Sequence, residues 1–279
     1  MEASQRGVKI AVRIARSTVL GALLMGSFPA FAQIKNLEGY WTFDSGRDAE
    51  DKSRNERHGE LTSGVELTEN EGAPIPDAPK GCVTFPGVKG DMVDCGVGPK
   101  LRTGVTLMAW AEPEEVAAVQ FIAGTPYSDG VAWNDPWIAY QIGVRRGQMT
   151  TSLNIRVGDQ DKWLAREYNA GVAIAAEWHH YCFTFSDETS ISYIDGAEVA
   201  NFDNMRGEIG FEGDPHFVIG ERSATASGHP FRGRIDEVAL YSRALTPKEI
   251  QAVMNGGVEL GIEPQGKAAT MWGYMKVKP

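Results

Sequence analysis

Short apolar runs separated by turn residues occupy most of this chain. They fall at 40–43, 82–85, 92–95, 105–112, 119–124, 137–144 and 148–156, and again at 163–168, 177–185, 190–194, 197–200, 216–220 and 233–241. Runs this short, bounded by Gly, Pro, Asn and Asp, predict antiparallel strands rather than helices. Asp195-Gly196 has the composition of a two-residue hairpin turn, and Arg145-Arg146-Gly147 that of another. Two segments lack periodicity and read as loops: the charged stretch Ser45–Arg57, and Glu69–Lys80 with its three prolines. Helical spacing is confined to the end of the run Phe231–Met254. There Thr246 is an N-cap, Pro247 takes the first helical position and Glu249 lies three residues after the cap, a capping box. Gly256 and Gly257 allow the helix to stop. The pattern predicts an all-β, two-sheet antiparallel sandwich with one short C-terminal helix.

Within that closing run the order F-x-G-x-I-D-E-V-x-x-Y-x-R-A-L-T-x-x-E-I, Phe231 to Ile250, resembles the final signature of laminin-G-like, concanavalin A-type jelly-roll domains, including bacterial members and the related pentraxins. Tyr40 to Asp44 resembles their opening strand, and Asp51, Ser53, Asn55, His58, Gly59 and Leu61 the loop and strand that follow. Phe85-Pro86-Gly87 through Asp94, Val105–Trp110, Trp178-His179-His180 and Tyr193–Gly196 extend the likeness over residues 37–255. The resemblance implies a jelly-roll sandwich whose first and last strands lie side by side. It implies little about function, because such folds carry lectins, adhesion modules and glycosidases alike.

The chain has 279 residues and a formal charge of −10. With no basic stripe to offset that balance, the charge argues against a nucleic-acid partner, though it leaves room for a local basic patch. Arg6, Lys9, Arg13 and Arg16 precede an apolar stretch at 19–28, and Ala30-Phe31-Ala32 forms a cleavage site before Gln33. Residues 1–32 therefore read as a secretory signal peptide, with an uncleaved anchor as the alternative. That segment holds four basic and one acidic side chain, so its removal takes the charge from −10 to −13. The expected organisation is a jelly-roll domain over 33–260 and a tail over 261–279, secreted to the periplasm or beyond, with no membrane span after cleavage.

Three cysteines leave one without an intrachain partner. If Phe85 faces Met92 in a hairpin, Cys82 stands opposite Cys95 within disulfide range; the alternative is no intrachain bond. Cys182 occupies the strand where pentraxins, by resemblance, carry half of a disulfide, but no cysteine stands near Leu107 or Met108 to complete it.

Side-by-side terminal strands would bring Asp44 close to Asp236, with Asp51 and Asn55 in the intervening loop. Oxygen ligands of this kind suit a structural Ca²⁺. The alternative is that these groups bond loop N–H groups or pair with Arg234 or Arg243. The loop is not an EF-hand, since Ser53 and Gly59 stand where Gly and Glu are required, counting from Asp48. The pentraxin calcium cluster is not reproduced either, because Gly220-Glu221-Arg222-Ser223 supplies one carboxylate. His179 and His180 are strand neighbours pointing to opposite faces, so they cannot share an ion.

Catalysis is not expected. The E-x-D-x-E strand of laminarinase-type glycosidases is absent, and Pro113 interrupts the pair Glu112 and Glu114. The long connection Gly124–Trp137 carries Tyr127, Trp133 and Trp137 with Asn134 and Asp135, a composition suited to stacking on a sugar ring and meeting its hydroxyls. Polar loops at 158–162 and 223–229 are further candidates; the alternative is that the two tryptophans pack on their own loop. The expected partner is a glycan or an extracellular protein. Three readings follow, in order: a carbohydrate-binding module, a structural or adhesive protein–protein module, and a glycoside hydrolase or lyase.

Overall fold

In a computed structural model, residues 34–258 are described, except 45–47, 127–137, 157–162, 174–175, 187, 204, 212 and 222–227. The expected signal peptide and the whole 261–279 tail therefore lie outside the described residues. The strands are β1 (Leu37–Trp41), β2 (Glu60–Leu61), β3 (Glu66–Glu69), β4 (Gly81–Pro86), β5 (Val93–Val97), β6 (Gly104–Pro113), β7 (Val119–Pro126) and β8 (Ile138–Arg145). They continue as β9 (Gln148–Arg156), β10 (Trp163–Ala173), β11 (His179–Ser186), β12 (Thr189–Ile194), β13 (Ala197–Phe202), β14 (Glu208–Ile209), β15 (His216–Ile219) and β16 (Arg232–Tyr241), before helix α1 (Pro247–Met254).

Alternation sorts these strands into two antiparallel sheets. The first runs β13-β12-β11-β6-β16-β4-β3, with β1 also on β16; the second runs β10-β9-β8-β7-β15-β5-β2, with β14 on β9. Trp41 of β1 stacks on Phe217 of β15, with ring centroids 5.0 Å apart and planes at 11°, so one aromatic pair joins the two sheets. Phe85, Phe183, Phe185, Leu107 and Tyr140 fill the same interior. The hairpin turn at Asp195-Gly196 has both φ values positive, +51° and +74°, as a tight primed turn requires.

The outer face of the first sheet is covered by α1. Ile250 and Val253 pack on Met108, Cys182, Tyr193, Ala239 and Tyr241. The capping box forms as expected, with Thr246 and Glu249 each accepting from the other's backbone N–H. A cap is worth about 1 kcal/mol, whereas burying one such aliphatic side chain is worth about 1.5–3 kcal/mol. An eight-residue helix is therefore held mainly by packing.

One expectation is corrected. Cys82 lies on β4 in the first sheet and Cys95 on β5 in the second, so the chain between them crosses from sheet to sheet instead of turning back as a hairpin. All three cysteines are free and buried. Both sides of the connection are apolar enough for either arrangement, and the sandwich is the one that buries both runs.

Candidate functional site

The first and last strands lie side by side, with Trp41 opposite Val238 and Tyr40 opposite Ala239. On the same edge of β16, β4 pairs only as far as Ile235↔Val83. Between these two partners the register with β6 slips, from Asp236↔Trp110 to Ala239↔Met108. Glu237 sits in this bulge at φ +51°, a left-handed conformation that is uncommon for a residue with a side chain. The exchange of partners thus places two adjacent carboxylates, 2% and 9% exposed, where no ladder satisfies the backbone.

Asp236 takes over that role. Its Oδ1 accepts the Glu237 N–H at 2.7 Å and its Oδ2 the Ala73 N–H at 2.8 Å. Gly72 permits the approach, since a Cβ there would lie 2.8 Å from Asp236 Oδ2. The Tyr40 hydroxyl donates to Glu237 Oε2. Lys80 Nζ donates to the carbonyls of Ala73 at 2.6 Å and Ile75 at 3.3 Å, fastening the proline-rich 70–80 segment over the bulge. Burial, then the neighbouring Glu237 charge, pushes Asp236 up to about 8. Burial also raises Glu237 to about 7, against the Tyr40 hydrogen bond that favours its charged form. The half-buried Asp44 is raised by desolvation too, and its Oδ1 has no hydrogen-bond partner.

The structure brings two of the four expected Ca²⁺ ligands together. Asp44 and Asp236 are electrostatic neighbours, as expected. Asp51 instead organises its own loop: its carboxylate accepts the N–H groups of Tyr40, Ser53 and Arg57 at 2.8–2.9 Å and the Ser53 hydroxyl at 2.8 Å. Asn55 donates its amide to the Glu38 carbonyl at 2.9 Å. Among the described residues, no three His, Cys, Asp or Glu side chains are grouped to hold a metal ion. The carboxylates of Asp51 and Asp236 thus accept backbone N–H groups, each from a different loop.

The expected ligand-contacting residues Tyr127, Trp133, Asn134, Asp135 and Trp137 lie outside the described residues. The strand ends that carry their connection are described. Pro126 pairs with Ile138, and Arg156 with Trp163, so the 127–137 and 157–162 connections start from the same end of the second sheet. The 223–229 segment follows Glu221 near the opposite end, where Gly220 donates to the Ile122 carbonyl at 2.8 Å.

Sequence reasoning missed a polar row on the second sheet. Thr151 Oγ1 meets Ser192 Oγ of the first sheet at 3.1 Å, so Thr151, Leu153 and Ile155 face the interior and Thr150, Ser152 and Asn154 face away from it. Gln141 joins this outer row, donating its amide to Ser152 Oγ at 3.3 Å. Asn154 is fully buried, and neither atom of its side-chain amide has a hydrogen-bond partner. The alternation of Thr150, Ser152 and Asn154 with apolar residues was a legible signal. The burial was not. Glu237 was also missed, although two consecutive acids inside an apolar strand run signal a bulge.

The family description "concanavalin A-like lectin/glucanases superfamily" matches residues 90–251. No curated protein matches the chain. Among solved structures it is similar to the binding domain of Paraclostridial Mosquitocidal Protein 1, at 14% identity and TM-score 0.57 over 79% of this chain and 52% of that one. It is similar also to the binding domain of botulinum neurotoxin serotype G, at 12% identity and TM-score 0.51 over 78% of this chain and 50% of that one. A mutant Trypanosoma rangeli sialidase displaying trans-sialidase activity matches at 17% identity and TM-score 0.52 over 79% of this chain and 33% of that one. The chain therefore spans about half or less of the length of these structures, and the likeness is one of fold. Family match, strand order and closing motif agree: the chain belongs to the concanavalin A-like lectin/glucanase superfamily.

Proposed function

We propose that this chain is an exported, non-catalytic recognition module that binds carbohydrate on a polymer or cell surface. The observation that carries the reading is that the 127–137 and 157–162 connections both start from one end of the second sheet. One connection is rich in aromatic residues and the other in polar ones, which supports stacking on a sugar ring and contact with its hydroxyls at the same rim.

A hydrolytic reading is less well supported. Asp236 and Glu237 are an adjacent pair with raised pKa values, but they are enclosed at the bulge and tied to backbone and Tyr40. Cleavage of a glycosidic bond needs two carboxyl groups flanking it in a site that substrate can enter. Two of the structurally similar proteins are toxin binding domains, consistent with recognition on this architecture. Residues 1–32 supply the export signal in this reading.

A glycan array probed with the secreted protein and with the double variant Trp133→Ala/Trp137→Ala tests the assignment. Specific glycan binding that the double variant weakens at least tenfold is expected. Glycan binding unchanged in the variant would remove the site, and no glycan binding at all would favour the protein-partner reading.

A further inference from the structure

At the end of β7 away from Pro126, three chain segments meet around a cleft of about 450 Å³. Pro86, Val119 and Pro230 line its apolar side, and Glu115, His229 and Arg232 its polar side. This volume lies within the range of small-molecule sites, about 300–1,000 Å³.

Two buried polar side chains hold the walls in place. Gln120, 1% exposed, donates its amide to the Glu115 carbonyl at 2.6 Å and accepts the Arg232 N–H at 2.8 Å. Glu221, also 1% exposed, accepts the His229 N–H at 2.7 Å and the Gly90 N–H at 3.3 Å. The Phe121 and His229 rings meet edge to face at 5.4 Å. Gly87 has φ +77°, and a Cβ there would lie 2.8 Å from that of Arg232, so glycine lets the arginine stem form part of the wall. A cleft whose walls are already fixed loses little conformational freedom when it is filled.

The polar groups define the ligand. Arg232 Nε donates to Glu114 Oε2 at 2.7 Å, leaving the terminal amino groups of the guanidinium as donors, while Glu115 contributes an acceptor of opposite charge. Donors and acceptors beside proline and valine surfaces, with no excess of one sign, suit a neutral polyhydroxylated molecule that has an aliphatic face. We propose that this cleft is a second ligand site, taking a neutral saccharide of one or two rings. Arg232 donates to its hydroxyls, Glu115 accepts from them, and the C–H face of a ring lies against Val119 and Pro230. The site goes beyond the function proposed above and lies at the end of β7 opposite Pro126, from which the 127–137 connection starts, so one molecule would bridge two glycans.

¹⁵N-labelled protein titrated with cellobiose, xylobiose, maltose and lactose, and with glucuronate as a charged comparison, tests the proposal. At least one neutral disaccharide is expected to shift the amides of Val119, Gln120 and Phe231. Ala118→Trp, which fills the cleft from an exposed position, and Arg232→Gln should each weaken that response at least tenfold while spectral dispersion is retained; Trp133→Ala/Trp137→Ala should leave it unchanged. No shift at those amides, a response that survives Ala118→Trp, or a response to glucuronate alone would overturn the proposal. Shifts confined to Thr125 and Ile138, beside the 127–137 connection, would also overturn it, while sustaining the first site.

Discussion

The carboxylate of Asp236 accepts the backbone N–H of Ala73 at 2.8 Å, joining the closing strand to a loop 163 residues earlier. This bond spans the point at which β16 exchanges β4 for β1. A strand that changes partners leaves backbone groups unpaired, and here a buried acid and the proline-rich loop satisfy them together. The loop is thus a part of the fold and not a loose connection.

Folded-state acidity follows from that geometry. Asp236 rises from 3.8 to about 8 and Glu237 from 4.5 to about 7, both chiefly through burial. The native chain therefore keeps protons that the unfolded chain has released. Their stabilisation is complete below about pH 4 and is lost as pH rises through 7 and 8. Urea denaturation should give a midpoint that falls between pH 5 and pH 8.5, and Asp236→Asn/Glu237→Gln should flatten that slope. An identical slope in both proteins would contradict the assignment.

Tyr40→Phe removes the hydroxyl that donates to Glu237. Above pH 7.5, where the carboxylate is ionised, the loss of a buried donor should cost about 1–3 kcal/mol. At pH 5 the cost should be smaller. Chemical denaturation of the variant at the two pH values measures the difference.

Cysteine chemistry should be inert in the native state. Burial pushes the Cys82 thiol up to about 11 and those of Cys95 and Cys182 well above their ordinary value. A thiol-reactive disulfide reagent should label none of them in the folded protein and all three in denaturant. Reducing agent should leave the melting temperature unchanged, whereas a drop would reveal a disulfide.

At the helix, Thr246→Ala should lower stability by about 1 kcal/mol by removing the N-cap acceptor. Glu249, held down at about 2 by Arg243 above all, joins cap and ion pair in one side chain. Its folded value is depressed, so its contribution is present above pH 4.5 and fades as pH falls toward 2. Glu249→Gln should reduce the acid sensitivity of the melt, and an unchanged acid limb would separate Glu249 from that transition.

Much of this architecture was legible locally. The strand runs, the Asp195-Gly196 turn and the Thr246–Glu249 box each depend on residues close together in sequence, where backbone preference and side-chain reach decide the outcome. Cys82 and Cys95 mark the limit of such reasoning. Two apolar runs with a glycine-containing link suit a hairpin or a crossover equally, and burying both runs between opposed sheets favoured the crossover. Asp51 shows a second limit, because the four donors its carboxylate accepts come from β1 and its own loop, a pairing that the loop's composition does not specify.

Period-two alternation, turn chemistry and one capped segment determined that this chain makes an antiparallel sandwich ending in a helix, since those preferences act over a few residues. Tertiary structure decided which strands share a sheet, where β16 bulges, and which acids are enclosed. Those outcomes depend on long-range burial and on where every backbone N–H finds an acceptor, which no short stretch of sequence contains.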